Sequence, residues 1–473
     1  MKTTNPLGAK FGILSLLFAT LTVTATEPTF WSWAKTPPMG WNSWDCYGAG
    51  VWESNVIANA DYMAEKLKSH GWETITIDIQ WYEPLARTTA YRRGALLEMD
   101  GNARLLPATN RFAMTAATHS FKPIADYLHA KGLKFGLHLL RGIPRQAVAN
   151  KLPILGTPYT AADIANTNSI CSWNSDMYGV DMRKPGAQEY YDSVFALFAS
   201  WGLDYVKVDD LSRPYHTDEI EAIRKAIDKS GRPIVLSTSP GATPVTQGEH
   251  VQAHANLWRV SDDFWDDWRT LYEQFARLNS WTPFRAPGHW PDADMLPLGN
   301  IRAWQTQGNW TRFTKDEQFT VMSLWSIARS PLIMGGNMPK NDDFTLSLLT
   351  NDEVLAVNQN STNNRQLFNT NSAVAWIADV PGSKDKYVAL FNASPEPAAR
   401  GRRGGPAPDP AQTADATATQ PRKISVSLAD LGFSGSAKVR DLWTHKDLGN
   451  FTGTFAQEIN SHGAGLYRVQ PQD

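Results

Sequence analysis

Along residues 50–340 of this chain, apolar residues at helical spacing alternate with short apolar runs that are typical of strands. Stretches with apolar residues three and four positions apart end at a glycine, and a short, strand-like apolar run follows. The first unit has helical spacing over 57–67, a stop at Gly71 and a strand over 74–77. The same order recurs over 123–137, 190–208 and 219–236, and a last helix–strand pair covers 316–334. Strands that alternate with helices predict a parallel sheet.

A polar residue follows each of these strands, at Asp78, His138, Asp209, Ser237 and Ser239. Parallel strands carry their binding sites at their carboxyl ends, both in (β/α)8 barrels and in open sheets. No glycine-rich phosphate loop follows any of the strands, which disfavours a nucleotide-binding open sheet. We therefore predict a (β/α)8 TIM barrel over residues 26–350.

The pattern of apolar residues changes after about residue 350. Short strand-like runs at 373–377, 386–391 and 424–428 are not separated by helical patterns. These runs predict a C-terminal antiparallel β-sandwich over 351–473. The intervening residues 395–422 are rich in Pro, Ala, Gly, Thr and Arg, and we predict that they form a disordered loop.

The first residues have the pattern of a signal for export. Lys2 and Lys10 precede the apolar run 11–23, which is shorter than the roughly 20 residues of a spanning helix and ends in small residues. We predict a signal peptide over 1–25, a secreted or periplasmic protein, and no membrane span after cleavage.

The composition of the chain disfavours some classes of binding partner. A net charge of -2 gives no basic field for binding nucleic acid. The 19 tryptophans among 473 residues fit either a large core or a site that stacks aromatic faces on sugar rings. Cys46 and Cys171 could form a disulfide in an exported chain, but their number and spacing do not predict a metal site.

Three segments carry candidate catalytic chemistry. In the strand around 204–210, Lys207 and Asp209 share one face, so the lysine can keep the carboxylate ionised as a nucleophile requires. A buried structural salt bridge is the alternative reading of this pair. The segment 258–268 interleaves four aspartates with aromatic residues, and the segment 288–296 contains Asp292 and Asp294.

Spacing leaves the roles of these aspartates open. One of the four in 258–268 could be a general acid, whereas aspartate also favours a helix N-terminus. A metal site formed by Asp78, His138, Asp209 and Asp294 is a further alternative. No HxH or HExxH pattern supports it, and we predict neither a metal nor another cofactor.

Several motifs together resemble one enzyme family. The run 36–44, Thr-Pro-Pro-Met-Gly-Trp-Asn-Ser-Trp, is similar to the opening of glycoside hydrolase family 27, the α-galactosidase (melibiase) family. The segments 207–209, 258–263, 290–296 and 330–334 resemble its nucleophile strand, acid/base loop, W-N-D-P-D-M-L motif and last barrel strand. The motifs occur in family order across residues 36 to about 340.

The resemblance implies a retaining exo-glycosidase that acts on oligo- or polysaccharides. Asp209 would attack the anomeric carbon, and Asp263 would act as the general acid and then the general base. By the same resemblance, these residues would bind the sugar: Trp44, Asp78, His138, Lys207, Ser239, Arg259 and Asp294.

Departures from the family pattern affect the sugar pocket. Family α-galactosidases usually have two adjacent aspartates after the second strand, whereas Asp78 is followed by Ile79. His138 stands where a tyrosine is expected, and Ser239 where a glutamate commonly contacts the 2-hydroxyl. Arg141 is a candidate to replace some of the missing contacts, as is its neighbour at position 145.

The activity predicted first is α-galactosidase, followed by β-L-arabinopyranosidase and α-N-acetylgalactosaminidase. Loss of an O6-side carboxylate would suit arabinopyranose, which lacks C6. A non-catalytic carbohydrate-binding protein is the alternative from another class, but it predicts loss of a catalytic carboxylate, and both are present.

Overall fold

A computed structural model describes residues 1–3, 27–88, 90–394 and 421–472. Apart from its first three residues, the predicted signal peptide lies outside the described residues, so export stays a prediction. The predicted disordered loop also lies outside them, apart from residues 421 and 422. No helix in the described ranges combines the length and apolarity that crossing a bilayer requires.

Eight parallel strands form the barrel, and they pair in chain order. They are β1 (Met39–Asn42), β2 (Thr74–Ile77), β3 (Lys134–Leu140), β4 (Tyr205–Asp209), β5 (Val235–Thr238), β6 (Leu257–Arg259), β7 (Trp290–Asp292) and β8 (Leu332–Met334). β8 pairs with β1, and a parallel bridge between Leu296 and Met334 joins the chain after β7 to β8. The predicted TIM-like fold is confirmed.

One principal helix follows each strand. They are α1 (Glu53–Tyr62), α2 (Lys122–Ala130), α3 (Ala187–Trp201), α4 (Thr217–Ser230), α5 (Gly248–His254), α6 (Trp268–Ser280), α7 (Lys315–Ala328) and α8 (Asp352–Asn360). The predicted glycine stops after α3 and α4 are Gly202 and Gly231, which adopt the left-handed conformation that ends helices. Thr314 and Glu317 form a capping box that starts α7.

The chain between β3 and α3 makes an excursion over the carboxyl end of the barrel. It contains three short antiparallel strands, Ile143–Pro144, Ala165–Ile170 and Met177–Val180, and two short helices, Arg145–Ala149 and Ala161–Ile164. This excursion brings Trp173 to the cavity described below.

A second domain of antiparallel strands follows the barrel. Its strands are β9 (Thr362–Thr370), β10 (Ala373–Asp379), β11 (Lys386–Asn392), β12 (Arg422–Ser427), β13 (Ser436–Asp441), β14 (Lys446–Thr452), β15 (Thr454–Ile459) and β16 (Ala464–Gln472). Six form one sheet, in the order β9-β10-β11-β16-β13-β14, and β12 pairs with β15. Buried Val388, Leu390, Val426 and Phe455 share a core between the two sheets.

The helix α8 extends past the predicted domain boundary at residue 350 and ends at Asn360. Its Val354 and Val357 are buried in the large hydrophobic cluster that contains the barrel residues. Its start was recognisable in the sequence: the Asn351 side chain accepts hydrogen bonds from the backbone N–H groups of Glu353 and Val354 as an N-cap.

Candidate active site

A cavity of about 820 Å³ opens at the carboxyl ends of the barrel strands. Its wall comes from residues at or after β1 to β7, which is the face where barrels of this kind carry active sites. Seven predicted site residues lie in the wall: Trp44, Asp78, Lys207, Asp209, Arg259, Asp263 and Asp294.

Asp209, the last residue of β4, is a buried carboxylate with one oxygen held in place. Its Oδ2 lies 2.7 Å from Nε2 of His138 on β3. Burial raises the pKa of Asp209, but Lys207 and His138 together lower it well below its ordinary value. The carboxyl is therefore ionised at neutral pH and can act as a nucleophile.

Lys207 forms its ion pair with Asp78, and not with Asp209 two residues away. Its Nζ lies 3.0 Å from Asp78 Oδ2, which also accepts a hydrogen bond of 2.8 Å from Asn42 Nδ2. Burial lowers the pKa of Lys207, but the surrounding carboxylates raise it above its usual value. A permanent cation thus lies between the carboxylates of β2 and β4. Beside Asp78, the buried side chain of Ile79 gives the wall an apolar surface.

Arg259 connects the two aspartates on the opposite side of the cavity. Its Nη2 lies 2.7 Å from Asp294 Oδ2 and 3.4 Å from Asp263 Oδ1. Burial raises the pKa of Asp294 to about 6, although the Arg259 guanidinium opposes this rise and Asp263 adds to it. Asp263 has 55% of its side chain exposed, so it can exchange a proton with water or with a bound substrate.

The backbone at Asp294 is held in an unusual conformation. Its φ of 86° lies in the left-handed region, which is costly for a residue with a Cβ. The backbone N–H of Phe264 donates to Asp294 Oδ2 at 2.7 Å, and the N–H of Asp294 donates to Asp292 Oδ1 at 2.8 Å. These bonds tie the loop after β6 to the loop after β7 and fix the direction of the Asp294 carboxylate.

The structure distinguishes the four aspartates that spacing left equivalent. Asp266 is buried in an ion pair with Arg302. Asp267 caps α6 through its side chain, as the helix N-terminus alternative predicted. Asp262 and Asp263 both line the cavity, but only Asp263 pairs with the buried Arg259.

His138 and Ser239 are not in the cavity wall, unlike the other predicted sugar contacts. β3 continues to Leu140, so His138 lies within the strand, pairs in register with Lys207 and is wholly buried. Its contact is with Asp209, and it can position that carboxylate. Ser239 follows β5 and is also wholly buried.

The two arginines after β3 do not supply the missing sugar contacts. Arg141 is buried and pairs at 2.7 Å with both Asp210 and Glu219. Arg145 donates to the carbonyl of Met177 at 2.8 Å. Neither arginine lines the cavity. Arg141 pairs with buried carboxylates next to the barrel strands, and Arg145 bonds to a backbone carbonyl within the segment between β3 and α3.

Asp45 is a cavity residue that the sequence analysis missed. It is buried, and its Oδ2 has no hydrogen-bond partner among the described residues. Burial and the nearby Asp294 carboxyl raise the pKa of Asp45 well above its ordinary value. A Cβ added at Gly335 would overlap Asp45 Oδ2, so a glycine at the end of β8 makes room for this carboxyl. The only sequence signal was its position directly after Trp44.

A row of aromatic rings forms one side of the cavity. Trp44 stacks on Tyr91 with ring centroids 6.1 Å apart, and Tyr91 lies 5.6 Å from Trp173. Such rings provide the flat apolar surface that a sugar face packs on. Tyr91 and Trp173 come from irregular loops without periodicity, so no pattern in the sequence pointed to them. Cys46 and Cys171 are buried free thiols and do not pair.

Family models match two parts of the chain. Residues 180–360 match the model described as alpha galactosidase A, and residues 370–469 match the alpha galactosidase C-terminal beta sandwich domain. An α-galactosidase of Cyamopsis tetragonoloba is 27% identical over 93% of this chain and 87% of its own.

Two solved structures are more similar in sequence. A family 27 β-L-arabinopyranosidase from Geobacillus stearothermophilus, solved in complex with arabinose, is 50% identical. The alignment covers 95% of this chain and 100% of that chain, with a TM-score of 0.87. A Bacillus halodurans protein provisionally assigned as an α-N-acetylgalactosaminidase is 45% identical over 92% and 97% of the two chains, with a TM-score of 0.79. The barrel, the sandwich and these similarities show that the chain is a glycosidase and belongs to glycoside hydrolase family 27.

Proposed function

We propose that this glycosidase releases terminal β-L-arabinopyranose from oligo- or polysaccharides with retention of configuration. The observation that carries the proposal is Ile79, a buried apolar residue in the cavity wall beside Asp78. β-L-Arabinopyranose presents the ring hydroxyls of α-D-galactose but lacks C6 and its hydroxyl. A galactose O6 at an apolar wall would lose its hydrogen bonds to water without replacement, whereas arabinopyranose has no such group. The 50% identity to a β-L-arabinopyranosidase also supports this choice.

Asp209 is the nucleophile of the proposed double displacement. Its carboxylate bonds to the anomeric carbon as the glycosidic C–O bond breaks, and Asp263 gives a proton to the leaving oxygen. Water then attacks the anomeric carbon, Asp263 takes a proton from that water, and the bond to Asp209 breaks. His138 holds one oxygen of Asp209, and the low pKa of Asp209 keeps it ionised from the start.

The remaining wall residues hold the sugar. Asp78 and Lys207 form an acceptor–donor pair for adjacent ring hydroxyls. Arg259 and Asp294 form a second such pair on the other side. The ring of Trp44 offers a surface for the apolar edge of the sugar.

α-D-Galactoside hydrolysis is the second candidate function. It is supported by the 27% identical α-galactosidase and by the shared hydroxyl arrangement of the two sugars. The third candidate is N-acetyl-α-D-galactosaminide hydrolysis, supported by the small Ser239 where family galactosidases commonly have a glutamate and by the Bacillus halodurans relative.

A hydrolysis panel with matched variants tests the glycone. The kcat/KM of the wild type is measured on nitrophenyl β-L-arabinopyranoside, α-D-galactopyranoside and N-acetyl-α-D-galactosaminide, with Asp209→Asn as the inactive control. We expect the arabinopyranoside to be preferred. Ile79→Asp should shift the arabinoside-to-galactoside ratio toward galactoside by about 10- to 150-fold, since a hydrogen bond to a charged group contributes ~1.5–3 kcal/mol.

Ile79→Val keeps the wall apolar and should leave the ratio within a few-fold of wild type. A wild type that prefers the galactoside, or an Ile79→Asp variant with an unchanged ratio, would refute the role of Ile79. Preference for the N-acetylgalactosaminide would favour the third candidate.

A further inference from the structure

Three side chains of types that commonly bind metal ions meet on the outer wall of the barrel, away from the catalytic cavity. His250 and His254 are one helical turn apart on α5 and therefore project from the same face of that helix. Glu221 lies on the neighbouring helix α4. One ligand atom from each of the three residues can be chosen so that all lie within 4.8 Å of one another.

The spacing of these atoms is close to that of a metal coordination sphere. Nε2 of His250 lies 3.6 Å from Oε1 of Glu221, which is too long for a hydrogen bond. Two ligands of a tetrahedral zinc ion, each about 2.0–2.1 Å from the metal, are themselves about 3.3 Å apart. Because the three ligand atoms lie within 4.8 Å of one another, binding requires side-chain rotations that bring them to that distance.

Hydrogen bonds at Nδ1 leave the Nε2 atoms of both imidazole rings as the candidate ligand atoms. Nδ1 of His254 lies 2.7 Å from the carbonyl oxygen of His250 and must donate to it, so Nε2 of the neutral ring carries the lone pair. Nδ1 of His250 lies 2.7 Å from the Tyr215 hydroxyl, and its buried Nε2 has no partner among the described residues. Histidines that bind metals are commonly fixed in this way through the other ring nitrogen.

The donor atoms of the cluster also suit an ion of the zinc type. Lys225 Nζ lies 3.3 Å from Oε2 of Glu221, which leaves Oε1 for a ligand. Two imidazoles and one carboxylate form a donor set that zinc accepts.

We propose that Glu221, His250 and His254 bind one divalent transition-metal ion of the zinc type, with water completing its coordination. The ion links α4 to α5 and stabilises the folded barrel. Since the three residues lie outside the catalytic cavity, the site takes no part in glycoside cleavage and is independent of which sugar the enzyme prefers.

Metal binding to the tag-free, full-length protein tests this proposal. After removal of metals with EDTA and dialysis, isothermal titration with ZnCl2 should show one ion bound per chain. The melting temperature should rise by several degrees, because a ligand that binds only the folded state stabilises it. Co²⁺ at the same site should give visible absorption bands of tetrahedral or five-coordinate geometry.

Variants at the cluster separate this site from incidental binding. Glu221→Gln and His254→Gln should each weaken Zn²⁺ binding at least about tenfold and reduce the thermal shift. The matched control is His70→Gln, at a histidine paired with Asp352 on another part of the barrel, and it should leave both unchanged. No stoichiometric uptake by the wild type, or equal uptake by wild type and the Glu221→Gln/His254→Gln double variant, would overturn the proposal.

Discussion

Replacing Asp294 by asparagine should change how the stability of this protein depends on pH. Burial raises the pKa of Asp294 from 3.8 to about 6, against the opposing Arg259 guanidinium. Each pKa unit corresponds to about 1.36 kcal/mol, so the shift of roughly two units corresponds to about 3 kcal/mol. Because the folded-state pKa is the higher one, the folded state holds this proton more tightly than the unfolded chain does.

This contribution to stability is fully present below a pH of about 4 and is lost as the pH rises through about 6. The asparagine variant has no proton to lose at this position. The free energy of unfolding of the wild type, minus that of Asp294→Asn, should therefore fall by about 2 to 3 kcal/mol between pH ~4 and pH ~7.5.

Urea unfolding of both proteins at several pH values, followed by tryptophan fluorescence and circular dichroism, measures this difference. Asp262→Asn, at an exposed aspartate of the same cavity, controls for the loss of a carboxyl group from this region. A difference between wild type and Asp294→Asn that stays constant within about 0.5 kcal/mol across the range would refute the assigned pKa and its cause.

Three further predictions follow from the cavity and its supports. Asp209→Asn should lower kcat by more than about 10⁴-fold. Asp263→Asn should lower kcat by about 10²- to 10⁴-fold, and by less on aryl glycosides with good leaving groups. Arg141→Met should destabilise the fold by about 3–5 kcal/mol in urea unfolding, because it leaves two buried carboxylates unpaired, and a loss below about 1 kcal/mol would contradict this. Gly335→Ala should cost about 1–3 kcal/mol through overlap with Asp45, and Asp45→Ala should relieve much of that cost, whereas additive losses in the double variant would exclude the overlap.

Local sequence was sufficient to predict the scaffold and part of the site. The strand Tyr205–Asp209 follows from its apolar alternation and from the glycine stop before it, and alternation also places Lys207 and Asp209 on one face. Parallel strands end at a common edge, so polar residues after them were expected to gather there. Each of these inferences needs only the geometry of one element or of neighbouring strands.

The partners of those residues depended on contacts between distant parts of the chain. The sequence placed Lys207 beside Asp209, yet its ion pair is with Asp78, which is 129 residues away. Four aspartates in one segment had equivalent spacing, and only Arg259 singled out Asp263 among them.

The sequence by itself therefore determined the alternation of strands and helices, the C-terminal sandwich and the positions of the candidate carboxylates, because these follow from local periodicity and turn chemistry. The tertiary structure decided that His138 supports Asp209, that Asp45 joins the cavity and that Glu221 meets His250. The physical reason is that hydrogen bonds, burial and electrostatic fields depend on distances across the closed barrel, and these distances exist only once the strands and helices have packed.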